Sequence, residues 1–157
     1  MMKRKMYSFL TLTISVMMLA YCLVACNAGG TTDAVLTFVY EDKICISITE
    51  TDGKANAFDA LKSLRNKDLI SFDYTVSTYG SYITSINGKA ETNVSTSNSS
   101  EGYSWMLYTS DMEYAYESET ISIGDQICGK AAMGSSSVIV KKGEIYVWVY
   151  EYYSYTW

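Results

Sequence analysis

Tyr79-Gly80-Ser81-Tyr82-Ile83-Thr84-Ser85-Ile86-Asn87-Gly88, followed after a polar run by Tyr103-Ser104-Trp105-Met106-Leu107-Tyr108, sets the class of fold. Residues Ser81 to Ile86 alternate as a half-buried strand does. Asn87-Gly88 supplies the two residues that tolerate the positive φ angles of a type I′ turn, so the chain reverses there. The Thr92–Ser100 run holds no apolar residue except Val94, which predicts a solvated loop before the Tyr103–Tyr108 strand.

Upstream, Ala34 to Tyr40 is a nearly continuous apolar run, and Ile44, Ile46 and Ile48 alternate with Cys45, Ser47 and Thr49, predicting a β-hairpin. The period then changes. Ala57, Ala60, Leu61 and Leu64 fall on one face of a helix, with Asn56 placed to cap it, Asp59 in its first turn and Asn66 as its left-handed terminator. Phe72, Tyr74 and Val76 predict a third strand. Downstream, Thr109 to Lys130 is polar and acidic, with Asp111, Glu113 and Glu117, and reads as a surface excursion carrying a small hairpin at Gly124-Asp125. Ser135–Lys141 and Glu144–Tyr153 read as strands, the last with Tyr146, Trp148, Tyr150 and Tyr152 on one face. The expected class is α+β, with one helix against a mixed or antiparallel sheet.

The chain opens with Lys3, Arg4 and Lys5 before an apolar run to Val24, and Leu23-Val24-Ala25-Cys26 closes it, the pattern of a lipoprotein signal whose lipidated residue is Cys26. Residues 1–25 are thus expected to be a signal peptide, 26–33 a tether and 34–157 one domain. The expected setting is the outer face of a bacterial, Gram-positive membrane, with the lipid anchor as the membrane contact. Without the leader, nine basic residues remain against 17 acidic ones, a net charge of −8, with no basic cluster. That balance argues against nucleic acid as a partner. No His and no Cys-x-x-Cys pair is present, so the usual general base and metal ligands are missing, and neither an enzyme nor a metal site is expected. Cys45 and Cys128 are left as either a disulfide or two half-buried thiols.

Three blocks in order resemble the domain family typified by the C-terminal domain of transcobalamin and intrinsic factor, which recurs in bacterial surface proteins. They are Asn56-Ala57-Phe58-Asp59-Ala60-Leu61, the Tyr79–Gly88 stretch with Tyr103–Tyr108, and Gly134–Tyr150 with its Lys142-Gly143-Glu144 turn. The resemblance implies a β-grasp-like sheet holding one helix. It also implies that Trp105 and Met106 lie toward a corrinoid, with Tyr82 in the same block, although the second domain that encloses cobalamin in such proteins is not in this sequence. The expected function is a non-enzymatic surface binding module for a soluble ligand such as cobalamin, using Trp105, Met106, Tyr82, Tyr146, Trp148 and Tyr150, with no bound cofactor. The alternative is a structural or adhesion module contacting protein or glycan through the same aromatic faces. In both, these aromatics compete with the core for a role.

Overall fold

The computed structural model describes residues 30–157. The expected signal peptide and Cys26 lie outside the described residues, as does the tether up to residue 29. The fold is chiefly antiparallel β: about 60% of it is strand and 8% helix, in one short helix. This corrects the expected α+β, β-grasp-like class. Two segments account for the difference. The Ser/Thr-rich run expected as a loop forms strand β6 (Thr92–Ser95) and the start of β7 (Ser99–Thr109). The acidic excursion forms β8 (Ala115–Ile123) and β9 (Gln126–Ala131). Both are strands because their backbone groups find ladder partners, and polar β-branched residues suit an exposed strand face.

The larger sheet runs β1 (Thr32–Tyr40), β2 (Lys43–Thr51), β10 (Ile145–Thr156), β7, β9, β8, with β6 also paired to β7. β1 takes in Thr32 and Asp33, the last residues of the expected tether. A smaller sheet joins β3 (Phe72–Ser77), β4 (Gly80–Ile86) and β5 (Lys89–Ala90). The predicted reversal between β4 and β5 is present, with φ of 49° at Asn87 and 80° at Gly88. Ser135–Lys141 is not a strand, and its only bridge joins Ile139 to Asn56. Its backbone bonds go instead to the approach to the helix, from Ala57 N–H to the Val138 carbonyl and from Val140 N–H to that of Ala55.

Helix α1 (Ala57–Asn66) starts at the predicted cap: the Asn56 side chain accepts from Asp59 N–H, while the Asp59 carboxylate accepts from Asn56 N–H. Asn66 is still helical. The left-handed residue is Asp68, two positions on, with φ of 57°.

The central strands bury both faces, and the alternation of β2 and β10 explains how. Ile44, Ile46, Ile48, Tyr146 and Trp148 share one core with Ala57, Leu61 and Leu64 of α1, Phe72 and Ile83 of the smaller sheet, and Val138 and Val140. On the opposite face, Cys45, Val147, Ile145 and Tyr108 meet Cys128 of β9, with Ile121 and Ile123 of β8 packed against them. The β8–β9 hairpin therefore closes a second core.

Candidate ligand-binding surface

Trp105, Tyr146 and Trp148 are 5%, 0% and 1% exposed. They line the first core. The Trp105 indole N–H donates to the Lys89 carbonyl at 2.8 Å. The Tyr146 hydroxyl accepts from Lys141 N–H at 3.0 Å, and burial above all pushes this phenol up to about 12. Met106 is half-buried on the other face, against the second core. Tyr82 stands on β4, 43% exposed, with burial and then the Glu91 carboxylate pushing its phenol up to about 12.

The aromatic surface lies farther out along β7 and β10. Register pairs Tyr150 with Trp105 and Tyr152 with Tyr103, which puts the four rings on one face. Trp105 and Tyr150 have centroids 5.3 Å apart, Tyr150 stacks on Tyr103 at 5.4 Å, and Tyr103 meets Tyr152 edge-on at 5.5 Å. Tyr103 is 45% and Tyr152 53% exposed, so the strip leaves the core and ends in solvent. Polar groups hold it in place. The Tyr150 hydroxyl donates to the Ala90 carbonyl at 2.8 Å, the Tyr152 hydroxyl to the Glu101 carboxylate at 2.6 Å, and Lys89 Nζ sits 4.6 Å from the Tyr150 ring centre. The bond to Glu101 also raises the Tyr152 phenol above its usual range. Beside the strip, Tyr40, Glu41, Ile86, Lys89 and Trp105 border a recess of about 280 Å³.

The sequence singled out Tyr150 and Tyr152 and passed over Tyr103, Lys89 and Tyr40. Tyr103 had a usable signal, since it is two residues before Trp105 and so shares its face in a strand. Lys89 and Tyr40 had none, because turns distant in sequence bring them to the strip.

The acidic excursion is largely paired. Lys141 Nζ lies 2.8 Å from Asp111, itself buried, and 2.6 Å from Glu113. Lys130 lies 2.6 Å from Glu151 and 3.2 Å from Glu119, and Tyr108 donates to Glu151 at 2.8 Å. Among the described residues no group of three His, Cys, Asp or Glu side chains is placed to hold a metal ion. Cys45 and Cys128 are unjoined thiols, both buried in the second core, and burial raises both.

No family model, no curated protein and no solved structure matches the chain.

Proposed function

We propose that the protein is a lipid-anchored, extracytoplasmic binding module without enzymatic activity, which holds a ligand with a flat apolar face on the strip formed by Tyr103, Tyr150 and Tyr152. A corrinoid is the ligand class that the resemblance suggests. The observation that carries the reading is the continuous aromatic contact from buried Trp105 to exposed Tyr152. Rings fixed by neighbours and hydrogen bonds lose little freedom on binding, so an apolar face laid on them gains burial at low entropic cost. Trp105 supports the strip from beneath, and its fluorescence would report an occupant.

The test titrates the full chain, held in detergent micelles, with cobinamide and cobalamin while tryptophan fluorescence is followed. Binding that Tyr103→Ala weakens by about tenfold or more, the size of one anchoring contact, supports the reading. A Tyr103→Ala variant that binds as the parent does would remove the strip as the site, and no binding up to millimolar ligand would remove the corrinoid. The strip is also narrow and open along the strands, which favours a second reading as an adhesion surface for an extended glycan. Soluble oligosaccharides in the same titration distinguish the two. The anchor has its own test: Cys26→Ala should shift the protein out of the membrane fraction or leave an unprocessed precursor.

A further inference from the structure

Strand β7 is bonded along its whole length to β10 on one side, but the other side is shared by two short neighbours. β6 reaches only Tyr103, and β9 begins only at Tyr108. Ser104, Trp105, Met106 and Leu107 therefore have no ladder partner on that side among the described residues. The direction of their backbone groups follows from Tyr103, whose N–H is turned to the β6 side and donates to Thr92 Oγ1 at 3.1 Å. β7 pairs with β10 without a shift of register, and main-chain groups in a strand repeat every second residue. Trp105 and Leu107 thus turn N–H and C=O into the gap.

The gap faces the side of β4 that is turned away from β3. Ser81 of β4 turns its N–H away from β3, to Ser136 Oγ at 3.1 Å, and Ile83 follows it by the same period of two. Between the edges is a slot of about 280 Å³, bordered by Tyr82, Met106, Ala132 and Met133 and floored by Trp148. Unpaired strand edges are templates for another strand, and proteins commonly cover them. This one carries no strand among the described residues and is flanked by apolar side chains.

We propose that the slot is a peptide-binding site, taking an extended segment of a partner protein that continues the ladder across Trp105 to Leu107 between β6 and β9. Two main-chain positions of β7 give the hydrogen bonds, and Tyr82, Met106 and Met133 favour a segment with apolar side chains. The site's entrance is separate from the Tyr103–Tyr152 strip, although Trp105 borders both.

The experiment passes a pool of capped heptapeptides, randomised at four central positions, over the full chain immobilised in detergent and over its Ala132→Trp variant. Ala132 is exposed at the slot's border, so the indole obstructs the slot without entering the core. The parent should retain apolar, β-prone peptides that the variant releases. The most strongly retained peptide, remade with N-methyl groups on alternate amides, should lose binding about tenfold or more while keeping every side chain. It should also slow amide exchange at Trp105 and Leu107. Identical retention by parent and variant, an N-methylated peptide that binds unchanged, or no peptide retained would each overturn the proposal. So would slowed exchange at these amides caused by dimer formation without peptide, which would make a second copy the occupant.

Discussion

Leu61 and Lys62 are neighbours in sequence with opposite surroundings. Leu61 is fully buried among Ile44, Ile46 and Val138, whereas Lys62 lies outside, paired with Asp59 at 2.6 Å and 5.0 Å from the centre of the Phe58 ring. Leu61→Ala should lower stability in urea by about 2–5 kcal/mol through lost burial and a residual cavity. Lys62→Ala should cost about 1 kcal/mol, since the Lys62 end of the pair is solvent-exposed and the buried Asp59 carboxylate keeps its bond from Asn56 N–H. Equal small losses would show that this stripe does not face the core. Asn56→Ala should cost about 1 kcal/mol by freeing the Asp59 N–H, with Asn56→Ser near neutral. These residues were legible in the sequence because helix periodicity and capping are local chemistry. Asn66 is not the terminator because Asp68 can adopt the same left-handed backbone, and residue type alone does not rank the two.

At the scale of elements, the β6–β7 pair depends on one missing side chain. Gly102 is buried, and a Cβ there would sit 1.9 Å from the Thr92 carbonyl oxygen, which is backbone and has little room to retreat. Gly102→Ala should push β6 off β7, costing about 1–3 kcal/mol as overpacking does, and amide exchange across Asn93 to Ser95 should accelerate more than in β10. Unchanged exchange would mean that β6 gives way without unpairing. Nothing in Thr92–Ser100 marked this pairing beforehand, for an exposed strand of Thr, Ser and Asn has the composition of a loop. β8 was legible in part: the hairpin read at Gly124-Asp125 is the β8–β9 turn, and what composition hid is how far its strands extend, back to Ala115 and on to Ala131. Ser135–Lys141 erred the other way: Val138 and Val140 are buried with strand-like spacing, but they pack beneath the helix approach. Alternation reports which side chains are buried and is silent on which backbone is the partner.

For the whole molecule, pH response follows from groups whose ionised or neutral form the fold favours. Burial foremost pushes the phenols of Tyr82, Tyr108 and Tyr146 up to about 12, from about 10 in an unfolded chain. Between those values the unfolded chain has released the protons that the folded one keeps, so stability is intact below about pH 10 and falls as pH rises toward 12. Thermal melts should show that decline, and tyrosinate absorbance should show a late class of phenols that titrates with unfolding. Asp52 acts at the other end. Its carboxylate accepts from the N–H groups of Thr31, Lys54 and Ala55, which lowers it to about 2, so its contribution is present above about pH 4 and is lost as pH falls toward 2. Asp52→Asn should flatten this acid limb.

The register of the large sheet also gives the molecule two distant poles. Thr32 pairs with Thr51, four residues beyond Ser47, which pairs with Ile145, while Tyr152 lies seven residues past Ile145 in the other direction. At roughly 3.3 Å per residue, the eleven steps put roughly 35 Å between the first strand residue and the Tyr103–Tyr152 pair. A chain held through the segment before Gly30 is therefore gripped at one pole and carries its aromatic strip at the other. Under the proposed anchoring, ladder pairing within the sheet would set how far Gly30 stands from the aromatic strip.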